Sequence, residues 1–306
     1  MVDSRAQPGA GRKLFYGLFI FPLIIAVGMA ILLCSVVLLT HEDETPESLI
    51  AAIRTGSPSK RWQKAYELSN ELNQGRGMIR ASGVMKEIVF ILTNRTEYDA
   101  RTRAYMALAL SRFNDEDAKA ALRQALKDET EEEVQIHLLW ALGTVRDSEA
   151  VDSILSFLGK ESAELRKTAA YVLGVLGQPE KSVPPLRGGK DSHVYTAVGG
   201  AVIPALGALL HDQTQDVRWN AALSLARLGS DTGYGELLNM TDRSSLNAVA
   251  AVDEARAEEI IVTAVKGLAM LAKPESRSIL ESLAKNDVSL KVRQAALDAL
   301  KTVDSK

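Results

Sequence analysis

The stretch QDVRWNAALSLARLG, residues 215–229, decides the fold. Val217, Ala221, Leu225 and Leu228 follow the three-and-four spacing that gathers apolar side chains on one face of a helix. Trp219 and Leu223 fall elsewhere on the same helix, so it is apolar on more than one side and needs neighbours on both flanks. Asp216 stands in the first turn, where the peptide dipoles favour an acid. Arg218 sits among these residues and is read either as a reactive group, a ligand hook or a part of the frame.

A search for self-similarity decides between those readings. Positions corresponding to Arg218 are Arg61, Arg101, Gln135, Arg166, Ile261 and Arg293, and the residue seven places later is always leucine: Leu68, Leu108, Leu142, Leu173, Leu225, Leu268 and Leu300. A small residue follows that leucine at Ser69, Ala109, Gly143, Gly174, Ala226 and Ala269, which permits close helix packing. Asp99, Glu133, Glu164 and Glu259 repeat the acidic start of Asp216. A shorter amphipathic segment precedes each of these helices: SLIAAI, MKEIVFIL, KAALRQAL, VDSILSFL, AVIPALGALL, YGELL and SILESLA. The unit is a helical hairpin. Successive aligned positions lie 40, 34, 31, 52, 43 and 32 residues apart, so the basic unit is about 31 to 34 residues. Insertions near 178–197 and 239–257 account for the two longest intervals.

DVRWNAALSLARLG, ELRKTAAYVLGVLG and KVRQAALDALKTV resemble HEAT repeats, of the short variety found in phycobilisome lyase proteins. The resemblance covers residues 47–306 and implies an all-α fold: an α-solenoid of about seven helical hairpins, whose second helices line the concave side and bind proteins. Gln135 and Ile261 depart from the arginine of the pattern. An arginine that recurs in five of seven units is read as frame, its stem packed along the core edge and its guanidinium paired with acids or carbonyls at hairpin ends.

The N-terminus is of another kind. LFYGLFIFPLIIAVGMAILLCSVVLLT, residues 14–40, holds no charged residue. About 20 apolar residues span a bilayer, and a cleavable signal has a core of roughly 7 to 15, so this run reads as an uncleaved single-pass transmembrane helix, with Pro22 as a candidate kink. Arg5, Arg12 and Lys13 precede it within the segment 1–13, and the acidic linker 41–46 follows. The positive-inside rule therefore places the N-terminus in the cytoplasm and the solenoid on the far side, the periplasm in a bacterium. Leu33 before Cys34, the single cysteine, argues against a lipoprotein cleavage box, and no intrachain disulfide can form.

Chemistry is thinly represented. The net charge of −3 and the interspersed signs give no basic stripe for nucleic acid. His41, His137, His193 and His211 show no zinc-ligand spacing, and the only His-Glu pair, His41-Glu42, lies in the linker. RGGK, residues 187–190, lacks the spacing of a phosphate loop. No metal, cofactor or small-molecule substrate is expected. Aromatic and arginine side chains are favoured interface anchors, so Trp62, Arg103, Trp219 and Arg227, with Arg187 and Lys190 of the first insertion, are the candidate partner-binding residues. The expected activity is that of a non-enzymatic, membrane-anchored scaffold for a protein partner or a membrane complex. The alternatives are a HEAT-type lyase or other enzyme, and a subunit assembled through its transmembrane helix.

Overall fold

The computed structural model describes residues 19–40, 45–74, 82–113, 115–178, 200–247 and 252–304. Its contacts divide the chain between Thr45 and Pro46 into two compact units. The first contains α1, Phe21–Thr40, which carries no charge. Pro22 falls in its first turn, where a missing N–H costs no helical bond. The span expected over 14–40 thus begins, as an α-helix, at Phe21; residues 14–18, the segment 1–13 and linker residues 41–44 lie outside the described ones. Described side chains of α1 reach only to Ser35, and among the described residues no helix is long and apolar enough to cross a membrane.

The second unit is built of helical hairpins in chain order. The first pairs α2 (Pro46–Thr55) with α3 (Pro58–Gln74), the second α4 (Ser82–Thr93) with α5 (Ala100–Leu110), and the third α6 (Glu116–Asp128) with α7 (Glu132–Thr144). In the fourth, α8 (Val151–Leu155) lies between two 3-10 turns and precedes α9 (Ala163–Leu176). The fifth sets α10, over 200–208, against α11 (Gln215–Arg227). The sixth sets α12 (Tyr234–Asn239) and α13 (Arg243–Asn247) against α14 (Glu254–Leu271), and the seventh α15 (Arg277–Asn286) against α16 (Leu290–Asp304). Each second helix packs on the next: α3 on α5, α5 on α7, α7 on α9, α9 on α11, α11 on α14 and α14 on α16. The first helices α2, α4, α6 and α8 make a row of their own. This is an all-α solenoid, as the repeat implies.

α11 shows why the opening stretch needs neighbours on both sides. Its Val217, Ala221 and Leu225 belong to one buried cluster that reaches back to Leu49, and its Trp219, Ala222 and Ala226 to a second that runs on to Ala299. The two clusters meet in this helix. The repeated leucine is the deepest element of the seam: Leu68, Leu142, Leu173, Leu225 and Leu268 are all fully buried. Burying such a side chain stabilises the fold by about 1.5–3 kcal/mol. The small residue after it does what its size allows. A Cβ on Gly174 would stand 2.8 Å from the backbone Cα of Ser224, so α9 and α11 touch where a larger residue has no room.

The second hairpin corrects the sequence alignment. Arg101 is exposed, while Arg103 is buried at 3%. Asp99 caps α5 by accepting the N–H of Thr102, so Arg103 is the fourth residue after the cap, as Arg166 is after Ser162 and Arg218 after Thr214. Seven residues on, Leu110 is fully buried while Leu108 is not. ARTRAYMALAL carries two arginines and two leucines at the same separation, and the cap selects the inner pair. Ile261 departs for another reason: α14 begins at Glu254, behind its cap Asp253, so Ile261 and Glu259 lie deeper in a longer helix. The second insertion also differs from an uninterrupted loop, because α13 folds within it and buries Leu246. Of the first insertion, residues 179–199 lie outside the described ones.

Candidate functional site

The arginines of the repeat are joined to the turns between helices, and this settles what Arg218 does. Arg218 donates from Nη1 to the carbonyl of Asp212, at 2.7 Å, and Arg166 from Nη1 to the carbonyl of Lys160, at 2.8 Å. Gln135 does the same from Nε2 to the carbonyl of Glu129, at 2.7 Å. In each case the acceptor lies six residues earlier, in the turn of the same hairpin. The side chain at that turn position receives the arginine of the preceding repeat. Arg103 pairs with Glu129, both buried, and Arg166 holds Asp212 through Nε–Oδ2 at 2.7 Å and Nη2–Oδ1 at 2.9 Å. Both acids also accept backbone N–H groups just downstream, Glu129 from Thr130 and Glu131, Asp212 from Thr214.

The electrostatics follow from these contacts. Burial pushes the Glu129 carboxyl up, but the N–H groups of Glu131 and Thr130 and the Arg103 guanidinium outweigh it and hold the group below its ordinary value. The Arg166 hydrogen bonds lower the Asp212 carboxyl against the opposing effect of burial. The departures from the pattern are consistent with this scheme. Gln135, which is neutral, precedes a turn where Lys160 occupies the acid's position. α14 has Ala257 at the fourth place after its cap, and Arg243 of α13 supplies the missing cation, reaching Asp287 of the last turn at 2.8 Å. These arginines are frame, and Arg103 is thereby removed from the candidate partner-binding residues: a side chain at 3% exposure with a buried carboxylate partner has no surface to offer.

The open face belongs to the second helices. Tyr66 of α3 meets Tyr105 of α5 edge to face at 5.3 Å between centroids, and Tyr105 meets His137 of α7 at 6.0 Å. Trp140, one turn beyond His137, meets Tyr171 of α9 at 4.8 Å. Arg227 of α11 then lies over the Tyr171 ring at 4.4 Å. Tyr66 and Trp140 remain 48% and 40% exposed, so the row presents ring edges to its surroundings and is not core. His137 donates from Nδ1 to the carbonyl of Glu133, at 2.7 Å, since a carbonyl can only accept; this fixes the orientation of its ring. Trp62 is half-buried, with Arg101 over its ring at 4.2 Å, and joins the same pair of helices.

At its far end the row opens into a groove of about 470 Å³ between α11 and α14, with Tyr171, Trp219, Leu223, Arg227, Lys266 and Met270 among its walls. Trp219 is 6% exposed, so most of its ring is core and only an edge faces the groove. Trp219 and Arg227 are thus brought together, Trp62 lies several helices away, and Arg187 and Lys190 lie outside the described residues. The row of Tyr66, Tyr105, His137, Trp140 and Tyr171 was not singled out in the sequence. Its signal is an aromatic residue five places after the frame position, at Tyr66, Trp140 and Tyr171. Among the described residues no group of histidines, cysteines and acids is placed to hold a metal.

Residues 128–201 match the family model described as HEAT repeats, and residues 102–128 match the PBS lyase HEAT-like repeat. These two segments are similar to HEAT repeats. The complex of CpcE and CpcF of phycocyanin lyase from Nostoc sp. PCC7120 is similar in fold, at 14% identity over 86% of this chain and 96% of that one, with a TM-score of 0.52. A designed armadillo repeat protein matches at 16% identity, 85% and 100% coverage and a TM-score of 0.42. Human deoxyhypusine hydroxylase matches at 16% identity, 85% and 96% coverage and a TM-score of 0.36. No curated protein matches the chain in sequence. At 14% identity the likeness to the phycocyanin lyase complex concerns the fold alone.

Proposed function

We propose that this protein is a membrane-anchored, non-catalytic HEAT-repeat adaptor that binds a protein partner along its second helices. The observation that carries the reading is the aromatic row from Tyr66 to Tyr171, which continues across four successive second helices while Tyr66 and Trp140 stay exposed. Exposed aromatic rings on a rigid helical face supply large contact area at little cost in side-chain entropy. The anchor rests on the uncharged run 14–40, long enough to span a bilayer, with basic residues before it and acidic ones after. Tethering raises the effective concentration of a weakly held partner at the membrane.

Site-specific photocrosslinking tests the binding face in membranes of the native host. A photoreactive phenylalanine at Tyr66 or Trp140 gives a discrete adduct that disappears with Tyr105→Ala, whereas the same probe at Phe90, exposed on α4, gives none. Adducts from Phe90 alone would refute the assignment of the face. For the anchor, the full chain resists alkaline extraction from membranes and a chain lacking residues 1–40 is released. For the topology, a cysteine at exposed Lys127 reacts with an impermeant maleimide from the extracytoplasmic side.

A further inference from the structure

Arg227 differs from the arginines of the array that are clasped by acids. Arg103, Arg123, Arg166, Arg218 and Arg243 each face a carboxylate. Arg227 has no carboxylate partner among the described residues: its Nη1 is buried without an acceptor, and at the mouth of the α11–α14 groove its guanidinium lies over the ring of Tyr171, whose side chain also hydrogen-bonds it. Lys266, exposed on the opposite wall, also makes no ion pair among the described residues. The third cation there, Arg256, is engaged by Asp216 at 3.4 Å and by Glu259 at 3.3 Å, and Glu259 is the acid that the groove contains. The walls between these charges are mixed, with apolar Leu223, Met270 and an edge of Trp219 beside polar Asn220 and Thr263.

We propose that this groove seats an acidic side chain of an extended partner segment, with Arg227 and Lys266 taking the carboxylate while Trp219 and Met270 pack its apolar neighbour. The inference rests on the second helices being the binding face, and it adds the chemistry of what binds. A buried guanidinium donor without an acceptor carries an unrecovered desolvation cost that an arriving carboxylate removes. At about 470 Å³ the groove accommodates a few side chains of an extended chain and not a folded domain. The apolar part of the walls, Leu223, Met270 and the Trp219 edge, favours a side chain with an apolar neighbour over a bare inorganic anion.

The test uses the full chain in a non-ionic detergent and fluorescein-labelled octapeptides of alternating Glu and Leu, Gln and Leu, or Lys and Leu. Fluorescence anisotropy is expected to give the Glu peptide about tenfold tighter binding than the Gln peptide, and the Lys peptide weaker still. Lys266→Gln, at an exposed position, and Arg227→Gln each reduce that preference several-fold; Arg227→Lys gives an intermediate value and covers the case in which Arg227→Gln unfolds. Equal binding of the Glu and Gln peptides, or a preference that survives both Gln variants, overturns the inference. If the two peptides then bind equally and Trp140→Ala weakens both, the face reading stands while the acidic specificity falls. Binding of neither peptide also overturns the inference, and the photocrosslinks then decide the face by themselves.

Discussion

Arg166 in α9 grips both carboxylate oxygens of Asp212, at 2.7 and 2.9 Å, across 46 residues of chain. Between them lie residues 179–199, so the fourth and fifth hairpins are locked together whatever that segment does. Both side chains are 8% exposed. Asp212→Ala leaves the guanidinium enclosed without its acid and is expected to destabilise the array by about 3–5 kcal/mol, measured by urea unfolding. Replacing both partners with apolar residues recovers part of that loss; a double variant no better than the single one would show that the pair does not act as a unit.

Acid should release the same clasps. Asp212 and Glu129 titrate below their ordinary values of 3.8 and 4.5 in the folded chain, so the folded state binds protons less readily than the unfolded one. Their contribution is therefore complete above the ordinary values and is lost as pH falls through the lowered ones. The urea midpoint is expected to hold from about pH 7 to about pH 5 and to fall below that. Asp212→Asn flattens the acid limb; an unchanged limb would mean that these carboxylates do not govern it.

The register found in α5 separates two arginines that sequence spacing treats alike. Arg103→Leu leaves the buried Glu129 with only the more distant Arg95, at 3.9 Å, and is expected to cost about 3–5 kcal/mol. Arg101→Ala removes one exposed contact with Trp62, worth about 0.5–1 kcal/mol. Thermal unfolding of the two variants distinguishes them, and equal losses would restore the alignment on Arg101.

Gln135 and Lys160 offer a constructive test of the same scheme. Gln135→Arg alone sets a second cation toward a turn that already holds Lys160, with an expected loss of about 1–2 kcal/mol. Adding Lys160→Asp supplies the acid that Glu129 and Asp212 provide in neighbouring turns, and stability returns to at least the starting value. A double variant weaker than Gln135→Arg would show that the turn positions are not equivalent.

The hairpins were legible because repetition multiplies a faint signal: a leucine in one helix says little, and the same leucine at matching places in Leu142, Leu173, Leu225 and Leu268 fixes a seam. Register failed in α5, where two candidate pairs lie two residues apart and only the Asp99 cap distinguishes them. The role of Arg243 was illegible, since it replaces a missing arginine from outside the repeat, and spacing records only positions within it. The candidate face was half visible. Trp219 and Arg227, chosen by residue type, line one groove; Arg103, chosen the same way, is buried, which type does not report, and the row from Tyr66 to Tyr171 depends on contacts between helices that lie far apart in sequence.

The clasps point one way along the chain, from the arginine of one hairpin to the turn of its successor. The second and fourth units therefore emerge from the ribosome with an unmatched cation, and the unit synthesised after each brings the anion that neutralises it. Translation and assembly share a direction, and a chain halted partway exposes one specific open charge at its growing end instead of a finished surface.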